Sequence, residues 1–257
     1  MRKLTIGLQL YTLRDYCKNP KDIAQTLKKV REIGYRVVQL SALGPIDIKE
    51  LKNILDSNGL YACSTHTSYE RLLNQLNKVI EEHKILGAEA IMCPGLPREL
   101  HNPEGYLKVA KELAKVIDKA KKNNLIVGYH NHSTELEKYN GKTGLEIILE
   151  ACPSLEAEID TYWVQHGGGD PVLWIQKYSG RVSEVHVKDF GIKNNQQIMA
   201  PIGEGNLNWP KILDACEKAG SRYCLVEQDT CQIDPFESAK ISFNNMKSWG
   251  LKVNIPQ

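Results

Sequence analysis

Four polar stretches in the second half of the chain each follow a short apolar run. They are Tyr129-His130-Asn131-His132 with Glu135 just beyond, Glu158-Ile159-Asp160, Val185-His186-Val187-Lys188-Asp189, and Leu225-Val226-Glu227-Gln228-Asp229. The apolar runs read as parallel strands covered on both faces, where an unbroken hydrophobic stretch is expected. An uncompensated charge at such a place costs on the order of several kcal/mol or is neutralised. Asp160, His186 and Glu227 each close a predicted strand, and with one more carboxylate they make an oxygen-rich site holding a single imidazole. That donor set suits Mn²⁺, Mg²⁺ or another hard-to-borderline divalent ion, whereas a structural zinc site asks for thiolates. Glu135 is the favoured fourth ligand, with His130 as its rival. His130 and His132 are two residues apart, so on a strand they project to one side and at least one should reach the pocket.

Residues so far apart in sequence meet only if the fold gathers strand ends. The chain alternates strand-like and helix-like segments throughout. Predicted strands cover Leu4–Leu10, Tyr35–Leu40, Tyr61–Thr65, Ala88–Cys93, Leu125–His130, Leu155–Ile159, Val182–Val187 and Arg222–Glu227. Predicted helices cover Lys21–Ile33, Ile48–Ser57, Glu70–Leu86, Pro103–Lys122, Leu145–Cys152, Pro171–Tyr178, Trp209–Ala219 and Pro235–Trp249. In the first helix Ile23, Leu27, Val30 and Ile33 recur at helical spacing and Gly34 stands at its end. Eight strand–helix pairs over 257 residues match a (β/α)₈ TIM barrel, α/β in class and a single domain over residues 1–257. An open doubly wound sheet would want a glycine-rich phosphate turn after an early strand. The only glycine cluster, Gly167-Gly168-Gly169, follows the sixth strand without that spacing. The long stretch Phe190–Asn208, rich in Asn, Gln and Gly, reads as an irregular lid or pocket wall after the seventh strand.

Composition narrows the partners. With 42% hydrophobic and 25% charged residues and a net charge of +2, the chain has the makings of a globular core and no electrostatic footprint for nucleic acid or an anionic membrane. The lysines between Lys115 and Lys122 fall late in a predicted helix, where cations suit the dipole. Seven scattered cysteines without a CxxC pair suggest neither a disulfide framework nor a zinc ribbon. The N-terminus has no apolar leader and no run approaches a membrane span, so the cytoplasm is the expected compartment.

Taken in order, Gly7-Leu8-Gln9-Leu10-Tyr11-Thr12-Leu13-Arg14-Asp15, Tyr129-His130-Asn131-His132 with Glu135, Asp160-Thr161-Tyr162-Trp163-Val164, His186-Val187-Lys188-Asp189 and Gly203-Glu204-Gly205 before Trp209-Pro210 resemble the sugar phosphate isomerase/epimerase superfamily, the xylose-isomerase-like TIM barrels. The resemblance covers essentially the whole chain. It implies a Mn²⁺-type ion, with Mg²⁺, Co²⁺ or Zn²⁺ as alternatives, flanked by two carboxylates and completed by an aspartate and a histidine. Asp160, His186 and Glu227 match that set by position. Ketose 3-epimerases carry a glutamate on the fifth strand, where this chain has its histidine-rich stretch. Glu227 is then expected to act as one acid–base group, and His130 or His132 as the other.

Around them, His66 is a candidate contact for a substrate hydroxyl, Trp163 a wall under a sugar ring, Lys188 an anchor for an anionic or carbonyl oxygen, and Glu204 a loop residue that closes on the substrate. The implied activity is isomerisation or epimerisation of a sugar, sugar phosphate or keto-sugar by proton transfer next to a carbonyl. The alternative is lyase or hydratase chemistry on 3-keto-glycosides or inosose-type cyclic ketones. A nuclease of the same fold fits poorly, for want of extra metal histidines and a basic face. The resemblance also implies a homo-oligomer.

Overall fold

A computed structural model describes residues 2–255. Eight parallel strands close into a barrel: β1 (Thr5–Gln9), β2 (Val37–Leu40), β3 (Tyr61–His66), β4 (Ala90–Cys93), β5 (Ile126–His130), β6 (Glu156–Asp160), β7 (Glu184–Val187) and β8 (Tyr223–Val226). Each pairs with its sequence neighbours, and β8 closes on β1 from Thr5–Tyr223 to Leu8–Val226. The strands form where short runs of Val, Ile, Leu, Ala and Cys are cut by polar residues at both ends, and β1, β2, β4, β7 and β8 are buried along their whole length. An outer ring of helices covers them: α1 (Pro20–Ile33), α2 (Ile48–Ser57), α3 (Tyr69–Asn74), α4 (Leu76–Leu86), α5 (Pro103–Lys121), α6 (Gly144–Ala151), α7 (Thr161–His166), α8 (Pro171–Lys177), α9 (Trp209–Ala219) and α10 (Pro235–Ser248). Asn19 and Asn102 cap α1 and α5 through their side chains, each with proline in the first turn.

The eight-pair reading of the sequence therefore holds, with three local differences. The helix expected over Glu70–Leu86 is two helices, because Gln75 leaves the helical region at φ −132° while its N–H still bonds to the Arg71 carbonyl. No proline or glycine announces that break. A short helix, α7, follows Asp160 directly, since the Asp160 Oδ1 accepts the Trp163 N–H and caps it. The stretch Phe190–Asn208 is not irregular throughout. Asp189–Lys193 pairs antiparallel with Gln196–Ala200, and Asn194 and Asn195, both at positive φ, make the turn. Among the described residues no helix is long and apolar enough to cross a membrane.

Asp189 fastens the chain beyond that hairpin. Its fully buried carboxylate accepts from the backbone N–H of Phe190, Gly203, Gly205 and Leu207 and from the Trp209 indole, at 2.7–3.3 Å. Gly205 is required by this arrangement, because a Cβ there would stand 2.4 Å from the Asp189 Oδ1. Replacing the carboxylate leaves several buried donors unpaired. Asp189→Ala should lower the unfolding free energy by about 2–4 kcal/mol in urea titrations; an unchanged midpoint would show that the loop is held by other contacts.

Candidate metal centre

The C-terminal ends of β5 to β8 bring four donors together. His130 ends β5, Asp160 ends β6, His186 stands one residue before the end of β7, and Glu227 one beyond β8. One ligand atom from each lies within 4.8 Å of the others, and all four side chains are buried. Donors sharing one ion at about 2.1–2.4 Å are no more than about 4.8 Å apart, so the set fits a divalent cation. Two imidazoles with two carboxylates suit a first-row divalent transition ion better than Ca²⁺ or Mg²⁺, which take oxygen shells.

Each donor is aimed by a second contact. The Asp160 Oδ1 caps α7, leaving Oδ2 to face His130 Nε2 at 3.3 Å, and the Asn131 side chain holds the Asp160 backbone N–H at 3.1 Å. His130 Nδ1 lies 3.4 Å from the Pro94 carbonyl; an Nδ1–H donated there leaves Nε2 with its lone pair toward the cluster, as a ligand requires. Burial and the neighbouring His186 push the His130 pKa down to about 4, so the ring is neutral at ordinary pH. His186 Nδ1 lies 2.8 Å from Glu227 Oε2, while its Nε2 faces the Gln39 amide oxygen at 2.7 Å and Glu158 Oε1 at 3.2 Å.

A fixed cation balances the carboxylates. The Lys188 ammonium, fully buried, lies 3.0 Å from Asp160 Oδ2, 2.9 Å from Glu227 Oε2 and 2.9 Å from Asp229 Oδ2. Burial alone would raise the carboxyls of Asp160 and Glu227, but Lys188 and the imidazoles hold both below their ordinary range, Glu227 well below. Burial likewise opposes charge on His186, yet Glu158 and Glu227 together hold its imidazolium well above the ordinary value.

Beneath the cluster the barrel interior is polar, where bulky aliphatic layers are usual. Gln9, Gln39, Ser64, Glu158 and Glu184 are all fully buried. Gln39 donates to Glu158 Oε1 at 2.5 Å and Glu184 Oε2 at 3.1 Å, and Ser64 donates to Glu184 at 2.6 Å. His186 and His66 hold the Glu158 carboxyl well below its ordinary value despite burial, whereas burial and the adjacent Glu158 push Glu184 well above. His66 Nε2 lies 2.8 Å from Glu158 Oε2, and its ring stacks on His186 with centroids 5.1 Å apart.

The sequence-predicted residues divide accordingly. Asp160, His186, Glu227 and His130 are brought together, with Lys188 among them and His66 beside them. The Glu135 carboxylate accepts instead from the Tyr129 hydroxyl at 2.7 Å and the His132 N–H at 2.8 Å, and is not among the four donors. His132 sits 4.8 Å from the His130 ring and 5.4 Å from the Trp163 ring, both by centroids, on the outer side of the cluster. Glu204 accepts from the Asn245 amide at 3.1 Å, on α10 rather than at the cluster. Glu158 and Glu184 were not singled out as site residues, although each lies two residues before a predicted ligand and so shares its inward face.

A family model described as xylose isomerase-like TIM barrel matches residues 27–249, and the chain belongs to that family. It is 24% identical over 269 residues to the rhizopine catabolism protein MocC of Rhizobium meliloti, covering 87% of this chain and 80% of that one. It is 23% identical over 263 residues to an inosose dehydratase of Clostridium beijerinckii, covering 84% and 85%. Among solved structures, a sugar phosphate isomerase/epimerase from Parabacteroides distasonis superposes with a TM-score of 0.79 at 23% identity, covering 97% and 96% of the two chains.

Two outcomes check the centre. His130→Ala, Asp160→Asn and His186→Ala should each cut Mn²⁺ affinity at least about 10-fold, while Glu135→Gln should change it less than about threefold, by isothermal titration. The reverse ranking would place the fourth ligand at Glu135. Because Glu158 and Glu227 favour the imidazolium of His186 in the metal-free protein and a ligand must be neutral, Mn²⁺ binding should expel a proton. Its affinity should then rise by up to about tenfold per pH unit between about pH 6 and 8; a flat profile would contradict the imidazolium.

Proposed function

We propose that the protein is a divalent-metal-dependent enzyme that moves a proton at the carbon next to a carbonyl of a sugar or keto-sugar, in isomerisation or epimerisation. The observation that carries this reading is the buried convergence of His130, Asp160, His186 and Glu227 with the Lys188 ammonium among them. Those four side chains would hold the ion. When bound, it supplies a Lewis acid for the substrate carbonyl or alkoxide, acidifying the adjacent C–H.

The proton chemistry belongs to the chain. Glu227, kept ionised by Lys188 and His186, takes the proton as the substrate C–H electrons move into an enediolate. His132 stands on the outer side of the cluster and is our choice for the group that returns a proton. Delivered to the same carbon from the opposite face, the proton gives an epimer; delivered to the neighbouring carbon, it gives an isomer. Lys188 steadies negative charge on the substrate oxygens, Trp163 forms the wall beside it, and His66, fixed by Glu158, meets a hydroxyl.

A second reading is supported by two observations. The fifth-strand member of the cluster is an imidazole, and the similar protein from Clostridium beijerinckii is named an inosose dehydratase. The same enediolate can expel an oxygen from its β-carbon if His132 protonates the leaving group, which gives a dehydratase acting on inosose-type ketones or 3-keto-glycosides.

Incubation in D₂O with Mn²⁺ and a panel of ketoses, inososes and 3-keto-glycosides, followed by NMR, separates the two. Deuterium beside the carbonyl with an intact skeleton is the expected result; loss of water or an aglycone would move the assignment to elimination. Exchange with none of them would overturn both. Glu227→Gln should slow exchange by at least about 10², and near-normal exchange at full metal occupancy would remove Glu227 as the base.

A further inference from the structure

Between the loops after β3, β4 and β5 lies a cavity of about 590 Å³, lined on one side by Tyr69, Pro94, Leu96 and Pro97 and on the other by His132 and Trp163. The four metal-centre donors are not in its wall. Two of its wall residues border the cluster: His132 packs its ring against His130, and the Trp163 indole has the Lys188 ammonium 5.6 Å from its centroid. The volume lies within the roughly 300–1,000 Å³ of small-molecule sites.

We infer that this cavity is a subsite for a neutral, ring-bearing group in glycosidic linkage to the reacting sugar. The inference rests on the reading that the reacting sugar sits at the metal centre.

The walls decide the class. Aromatic and proline faces present apolar surface to a flat ring, and aromatic stacking adds about 0.5–1.5 kcal/mol beyond area burial. No lysine or arginine lines the cavity, while Glu70 and Glu135 do. The Glu135 carboxylate is already engaged by Tyr129 and His132, and Glu70 stands at the exposed rim. A phosphate placed there would meet carboxylates with no cation to pair it.

The test compares phenyl β-D-glucopyranoside, methyl β-D-glucopyranoside and glucose 6-phosphate as probes, by titration calorimetry and saturation-transfer NMR on metal-free and Mn²⁺-loaded protein. Phenyl glucoside should bind at least about tenfold more tightly than methyl glucoside, with the strongest saturation on its phenyl protons. Leu96→Trp, which fills the cavity, should erase the difference; Thr134→Trp on the exposed rim serves if the first variant does not fold. Equal affinities for the two glucosides, tighter glucose 6-phosphate, or no binding of any glucoside would overturn the subsite. A phenyl preference without D₂O exchange on any keto-sugar would sustain the subsite while removing the proton-transfer reading, and exchange without the preference would do the opposite.

Discussion

The interior of this barrel holds four fully or nearly fully buried carboxylates, Glu158, Asp160, Glu184 and Glu227, and the fold depends on how their charge is matched. Lys188 answers two of them directly, His186 reaches three, and His66 holds Glu158. Glu184 is left with one carboxyl oxygen unpartnered, and burial with the adjacent Glu158 drives its pKa upward, which favours the neutral form. Stripping one partner from such a network typically costs about 3–5 kcal/mol, because the remaining charge stays buried. A protein that served only to fold would gain from aliphatic layers here. The retained polar interior is understandable if its purpose is to orient His186 and hold Glu227 ionised.

That network also ranks the roles of the site residues. Asp160 gives one oxygen to the helix cap and the other to the cluster, so a single side chain joins β6, α7 and the centre. His186 is gripped from both ring nitrogens, which fixes its plane and links the donors above to the polar floor below. Lys188 is a resident cation among acids and makes the centre tolerable before any ion arrives.

Much of this was legible from residue order alone. The strand–helix alternation set the fold, and Asp160, His186 and Glu227 stood out because acids and imidazoles interrupt apolar runs. Glu135 is favoured over His130 as the acid next after the fifth strand, whereas the structure gathers His130 with the other three donors. Strand ends converge, so the last residue of β5 enters the cluster, while Glu135 lies in the following turn with its carboxylate used to cap His132 and Tyr129. Glu158 and Glu184 obey the same two-residue period as their neighbours and were recoverable by it. The break at Gln75 was not, since nothing local marks it. The Asn194-Asn195 hairpin was hidden in a stretch rich in Asn, Gln and Gly, although Phe190 and Ile192 alternate along its first strand.

The central claim is that one divalent ion sits among His130, Asp160, His186 and Glu227. Anomalous diffraction from crystals grown with Mn²⁺ tests it most directly. A single anomalous peak within about 2.0–2.4 Å of donor atoms from all four residues, with Lys188 moved off Asp160 and Glu227, is the expected result. A peak coordinated by Glu135 in place of His130, or full Mn²⁺ with no peak in the barrel mouth, would contradict it.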